Sequence, residues 1–589
     1  MGRARAASDL TLRQVLDQVA YDVLSRSPTA LTALGLDTGA YAWARSKLDA
    51  SPSVGHSRTA SDIARYRALL ATVPRKRLDA RDAILLDSLD FCLVSGQRST
   101  AHTFGVVDAL GGARPYVVSQ QGGVYHDMPE FLNAQHPVER ASDAEAYLER
   151  VAAMGPALDD ETQQLAGDVA VGVLPPDFVL DTTLAQHGAL RAIAASDARL
   201  VQSLARRAKE GGIVGSWAAR ATKLVASVVY PALDRQHAVL VGARAKATRD
   251  AGVWKLPDGE AYYAWRLHDA TSTNLTAVQV HQLGLDQGAD LDARMDVLLR
   301  TAGLGSGSVG DRLAALSKDS KQLFADTDAG KAEAVAYVQQ RMNALRAFLP
   351  RVSKLSLHAD VTVKRVPSDI EAGAALGYMN PAALDGSRPA IYYINLKSAS
   401  SWPKFTIPSL SAHEGLPGHA WQFAYIAEHR REVPVITSVM GFNAFVEGWA
   451  LYAEQLVDEL GFYESDVLGR LGMYQALRFR AARLVVDTGL HAMRWTREKA
   501  VDYMRTTTGR AALAVTSEVD RYCASPGQAC GYKVGHTEIV RLRDKAKAAL
   551  GAKFDVRDYN DLVVQTGGVP LTLLSRVVDD HIASVARLR

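Results

Sequence analysis

The sequence predicts a mainly α protein with one small β-sheet just ahead of its densest functional motif. Three observations lead to this class. Apolar residues recur at intervals of three and four from Leu10 to about Pro350, the signature of amphipathic helices. A short stretch after Pro350 alternates at period two, as half-buried strands do. Helical periodicity then returns at His413 and runs to the C-terminus. At 589 residues the chain exceeds what one small core needs, so either one large helical domain or two intimately packed lobes is expected. The change of pattern places a helical N-terminal lobe over residues 9–355 and a second lobe over 356–589, continuous with the first.

In chain order, the N-terminal lobe reads as successive helices. Its clearest pieces are Leu10–Leu24, Ala141–Met154, Thr182–Ala208, Gly215–Val241 and Lys331–Phe348. Short Gly, Pro, Ser and Asp clusters such as TAGLGSGSVGDR separate helical stretches, with no fixed-period repeat and no low-complexity linker. HADVTVKRVP then alternates, and DGSRPAIYYINL puts a turn before a β-rich run from Ala390 to Leu396. Helices are expected over His413–Arg431, Phe442–Leu460 and Glu464–Trp495, followed by a PGQACGYKVG loop and more helix.

Composition removes several function classes. The 48% hydrophobic and 22% charged content and a formal charge of +3 are those of a soluble globular protein. Basic residues are scattered rather than gathered in a stripe, so no nucleic-acid partner is expected. No run approaches the roughly 18 to 20 apolar residues that span a bilayer. Met1–Ser8 holds two arginines but no apolar segment behind them. A cytoplasmic protein has this start, and so does an exported one whose signal is removed. Cys523 and Cys530 lie seven apart across a Pro-Gly turn and form a candidate disulfide, while Cys92 sits in the apolar LDFCLV. An oxidised pair tips the reading toward a periplasmic or secreted protein. Monomer and homodimer both remain open.

The segment SLSAHEGLPGHAWQFAYI carries the strongest signal. In a helical H-E-x-x-H, two imidazoles one turn apart bind zinc and the adjacent Glu reaches the metal's water. Here His413 and His419 are six apart. Six residues advance about 600° on an unbroken helix, so the rings would diverge. Gly415, Pro417 and Gly418 lie between them, and these residue types permit a bulge that absorbs two residues. A distorted zinc helix is therefore expected. Twenty-eight residues after His419, FNAFVEGWALYAEQL places Glu447 in an apolar helix, where a carboxylate needs a cation or hydrogen bonds to offset its burial. Glu454 shares its face, about 700° further on, and suits a hydrogen bond to the other ring nitrogen of a ligand histidine. An exposed residue or a salt bridge is the alternative for Glu454. Two His and one Glu leave a fourth position open, as in catalytic zinc sites. One Zn2+ on His413, His419 and Glu447, with Glu414 as general base, is the expected centre.

HEGLPGHAWQ, EGWALYAEQL, VVDTGLHAMRWT and PGQACGYKVG, in this order, resemble the motifs of the bacterial domain-of-unknown-function family 885. That family is similar to the gluzincin metallopeptidases of the thimet oligopeptidase and carboxypeptidase Taq kind. The resemblance implies a two-lobed helical fold around a central cleft or channel, with zinc on the same three ligands. It also implies short peptides or peptide-like compounds as substrates, because a deep enclosure excludes folded proteins.

Further candidates surround this centre. Arg483, Asp487 and His491 recur at intervals of four on one helix face. They either bring His491 toward the open zinc position with Asp487 orienting it, or form an internal polar network. Tyr532, in a Gly-bearing loop, is the tyrosine that the resemblance selects to stabilise the tetrahedral intermediate; Tyr522 and Lys533 are alternatives. Tyr392, Tyr393 and Asn395 belong to a strand that either pairs with an extended peptide or lies inside the sheet. Arg388 is a turn residue or a partner for a substrate carboxylate. The expected activity is hydrolysis of amide bonds in short peptides. The rivals are a zinc hydrolase of non-peptide amides and a catalytically idle, metal-dependent peptide-binding protein. Glu414 discriminates, since a binding module has no use for a carboxylate beside its first ligand.

Overall fold

Several helix starts in this chain are fixed by side-chain caps. Thr11 and Thr276 each accept the amide three residues on, from Gln14 and Gln279, whose side chains reach back to the cap, satisfying amides that otherwise lack partners. Asp79, Ser308, Thr327 and Thr496 cap four further helices in the same manner. The computed structural model describes residues 11–366, 377–399 and 402–587. The Met1–Ser8 segment read for an export signal lies outside them. The fold is mainly helical with one three-stranded sheet, and no helix of the described residues is long and apolar enough to cross a membrane.

The chain divides into two compact units. The first comprises Met1–Asp250, Lys255–Pro257 and Pro434–Met440. Its core gathers around the helix Ala141–Ala170, where Leu148, Val151 and Leu158 meet Leu204, Val225 and Leu240 of later helices. The stretch expected as one helix over Thr182–Ala208 is two, Asp177–Ala192 and Arg199–Glu210. Between them Ser196 bonds the Asp197 carboxylate, a local competitor of the helical ladder.

The second unit comprises Ala251–Trp254, Asp258–Val433 and Gly441–Arg589. The boundary thus falls near residue 250 rather than 355. The helix Ala277–Thr301 lies against Val467–His491, and a Cβ at Gly284 would come within 2.8 Å of the Ala481 carbonyl. This close approach ties residues before 355 into the second unit. The sheet has the order β1 (Val361–Arg365), β3 (Ala390–Ile394), β2 (Gly377–Asn380). β1 runs parallel and β2 antiparallel to β3, with Tyr392 opposite Val363 on one side and Met379 on the other. β3 is therefore the central strand, buried at every position. Both its ladders are filled, so it offers no edge for pairing an extended peptide.

Candidate metal centre

The six-residue spacing of the histidines is accommodated by a full break. His413 ends the helix Ile407–Glu414 and His419 opens the helix His419–Glu428. The expected single bulged helix is corrected to two helices joined by Gly415–Gly418. A Cβ at Gly418 would collide with the carbonyls of Ala412 and His413, so only glycine lets the chain fold back this closely. Trp449 donates its indole N–H to the Pro417 carbonyl at 3.0 Å and pins the turn. The two imidazoles end 4.9 Å apart at 83°.

Glu447 reaches the same point from the helix Asn443–Glu459. Its Oε2 lies 3.5 Å from His413 Nε2 and 3.3 Å from His419 Nε2. The three ligand atoms lie within 4.8 Å of one another. The Glu447 helix crosses the helix Gln528–Leu550 at paired glycines, where a Cβ on Gly448 would come within 2.5 Å of the Gly535 carbonyl carbon. That crossing sets Glu447 beside Tyr532.

Glu454 fixes the tautomer. Its carboxylate accepts from His413 Nδ1 at 2.8 Å and from the Ser409 hydroxyl. With the proton on Nδ1, the lone pair of His413 Nε2 faces the Glu447 oxygen. A lone pair and a carboxylate oxygen repel unless a proton or metal cation lies between them. Glu447 Oε2 is buried and makes no well-formed hydrogen bond among the described residues. The donor set of two imidazole nitrogens and one carboxylate oxygen fits zinc. The electrostatics carry the same message. Burial opposes charge on both groups, yet Glu447 and Glu454 bring His413 up to about 9, and the two histidines hold Glu447 well below the carboxylate range.

Glu414 follows His413 and is buried at 9% exposure. Burial pushes its carboxyl up, with Glu447 adding to the shift and His413 and His419 opposing it. Tyr532 stacks parallel to His413, centroids 6.3 Å apart, and the Arg483 guanidinium covers its ring at 4.4 Å. Burial and the Glu447 charge raise the Tyr532 phenol, which keeps it a proton donor. Tyr532 stands on the helix Gln528–Leu550, not in the expected loop.

A family model described as "Bacterial protein of unknown function (DUF885)" matches residues 28–578. The chain belongs to the DUF885 family. No curated protein matches it. Two solved structures resemble the DUF885 chain over nearly its whole length. One is described as the putative lipoprotein from Colwellia psychrerythraea, 30% identical with a TM-score of 0.94, covering 97% of this chain and 99% of that one. The other, a putative lipoprotein of unknown function from Shewanella oneidensis, is 16% identical with a TM-score of 0.71, at 97% and 99% coverage. The second likeness is one of fold alone.

Several candidates in the DUF885 chain have structural partners instead. His491 accepts from the Val253 amide at 3.1 Å and donates through Nε2 to the Tyr522 carbonyl at 3.1 Å. Both ring nitrogens are thus occupied, leaving no N–H for an oxyanion. Asp487 accepts from Tyr263 at 2.7 Å and from the Gly527 amide at 3.0 Å, so it anchors neighbouring helices and does not orient His491 by a hydrogen bond. Asn395 accepts from the Lys397 amide, and Tyr393 stacks on Tyr378 within the sheet. Arg388 donates to the Pro381 carbonyl. Tyr522 bridges Arg483 and Glu518, and Lys533 meets His536. Cys523 and Cys530 are buried thiols, not a disulfide; burial and the Asp487 charge push the Cys530 thiol well up. The turn holding Ser525 and Gly527 separates the helices Ala512–Ala524 and Gln528–Leu550 without closing that pair.

Three contributors were not legible in the motifs. Ser409 lies one turn before His413 and holds Glu454; its i, i+4 spacing was a signal, though hydroxyls are too common to stand out. Trp449 reads as core, and only its indole contact at Pro417 shows its role. Arg480 stands 6.0 Å from the Tyr532 ring and lowers the Glu454 carboxyl. Tyr392, on the central strand, has its phenol raised by burial and by the Glu414 charge.

Proposed function

We propose that this protein is a zinc-dependent hydrolase of the gluzincin kind that cleaves amide bonds in short peptides or peptide-like compounds. The observation that carries the reading is the convergence of His413 Nε2, His419 Nε2 and Glu447 Oε2, with Glu414 adjacent in the chain. When bound by these side chains, zinc supplies Lewis-acid chemistry, acidifying water and polarising a carbonyl oxygen. Glu414 takes the proton of the attacking water and passes it to the leaving amine; its raised pKa suits a group that both accepts and returns a proton. Tyr532, on the Glu447 side, donates its phenol to the developing oxyanion. Glu454 holds His413 in orientation through Nδ1.

The deciding experiment compares zinc-loaded wild-type and Glu414→Gln proteins on a mixed library of peptides and simple amides, read by mass spectrometry. Cleavage is expected to slow by about 10²- to 10⁴-fold in the variant with its zinc content unchanged. Equal cleavage by the two proteins overturns the assigned mechanism, and cleavage by neither favours the idle binding protein. The reading also extends to an exported location, supported by the lipoprotein description of the Colwellia protein at 30% identity. Cell fractionation is expected to recover the protein with envelope or secreted material; recovery only with cytosolic markers overturns that placement.

A further inference from the structure

The second unit holds another concentration of charge beside the metal centre. Arg480 and Arg483, on the buried helix Val467–His491, are 9% and 7% exposed. Arg510 and Arg521 approach from the segment that follows. Three of these guanidinium groups surround one phenyl ring: Arg510 lies 4.3 Å, Arg483 4.9 Å and Arg480 5.9 Å from the Phe479 centroid. Among the described residues Glu518 accepts hydrogen bonds from two of them, Arg483 at 2.8 Å and Arg521 at 3.1 Å. The nearby Arg478 and Arg497 have their own partners, Asp292 and Asp520. Glu518 is thus the one carboxylate hydrogen-bonded within the cluster, while Arg480 also faces the charge of Glu454.

The cluster also has unused donors. Arg480 Nε, Arg483 Nη1 and Arg510 Nε are buried without a hydrogen-bond acceptor among the described residues. Buried guanidinium groups in this state are costly, and an anionic ligand relieves the cost. Burial and repulsion from Arg480 and Arg483 push Arg510 down to about 10, with Glu518 opposing the shift. Tyr532 connects this cluster to the metal centre. Its ring has Arg483 at 4.4 Å and Arg480 at 6.0 Å, and it stacks on His413.

We propose that Arg480, Arg483, Arg510 and Arg521 form an anion subsite that takes a substrate carboxylate beside Tyr532, next to the metal centre. The assignment rests on the hydrolase reading for the position of the scissile bond. Guanidinium groups with free N–H donors match a carboxylate in paired hydrogen bonds. The C-terminal carboxylate of a short peptide and an acidic side chain share this chemistry. The substrate class is thereby narrowed to peptides that place a negative charge near the cleaved amide.

Binding to the zinc-loaded Glu414→Gln protein tests this without turnover. Calorimetry would compare three probes: an acetylated tetrapeptide acid, its C-terminal amide, and that amide with an aspartate side chain near its end. The acid is expected to bind about 10- to 100-fold more tightly than the plain amide. Adding Arg510→Gln should bring that ratio close to one, while Arg510→Lys keeps much of it. Zinc content and melting temperature report whether each variant is folded, and Arg521→Gln repeats the comparison if Arg510→Gln is not. A match between the aspartate probe and the acid assigns the carboxylate to a side chain and supports the subsite. Equal binding of all three probes, or an acid preference that survives both Gln substitutions, overturns it. Failure of the hydrolase reading appears separately, as absence of cleavage by the wild-type enzyme.

Discussion

Replacing His419 by Ala is expected to abolish stable zinc binding at neutral pH and, with it, hydrolysis. The variant removes one of three converging donors, leaving His413 and Glu447, too few to hold the ion with an open coordination position. The comparison with Glu454→Gln makes the test quantitative. Glu454 touches no metal position; it accepts the Nδ1 proton of His413 at 2.8 Å. Losing such a supporting partner costs about 10- to 100-fold in affinity, so zinc content should fall in the order wild type, Glu454→Gln, His419→Ala. Metal analysis after dialysis against a chelator of graded strength reads the order. Full zinc retention by His419→Ala would show that the ligand set is misplaced, and an unaffected Glu454→Gln would remove the tautomer argument alone.

The residues that converge at the candidate centre stood out in the sequence where they broke a local rule that needed an explanation. Glu447 is a carboxylate in an otherwise apolar helix, and Glu414 stands directly beside a candidate ligand. The geometry between the histidines was less legible, because the break depends on tertiary contacts. The carbonyls crowding Gly418 and the indole of Trp449 are invisible to periodicity. His491 shows the opposite limit. Its i, i+4 relation to Asp487 correctly marked a polar ladder in a buried helix, but the ladder's partners lie elsewhere, Val253 being 238 residues away. Spacing identifies a face and not what covers it. β2 escaped notice because GYMN is short and does not alternate, and the boundary between units because helices on either side of it share one amphipathic pattern.

The zinc-free protein is expected to lose stability as pH rises above neutrality, while the zinc-loaded protein holds its stability over the same range. Without metal, His413 has its pKa raised from 6.5 to about 9 by Glu447 and Glu454 against the opposition of burial. A group raised on folding contributes stability that is fully present below its unfolded pKa and lost as pH climbs through the folded one. For His413 that window runs from 6.5 to about 9, so the zinc-free protein should melt at progressively lower temperature across it. Glu447 is depressed; its contribution is present above the ordinary carboxylate pKa and is lost only in acid, so it does not oppose the trend. Zinc needs the lone pair of His413 Nε2 and must displace that proton. Apparent affinity should therefore rise about tenfold per pH unit below the folded pKa, or about 100-fold from pH 6.5 to 8.5. The stabilisation conferred by a fixed free zinc concentration grows with it. Melting curves with and without buffered zinc, and chelator competition at the same pH values, check both slopes. Parallel slopes, or an affinity independent of pH, would show that His413 does not exchange its proton for the metal.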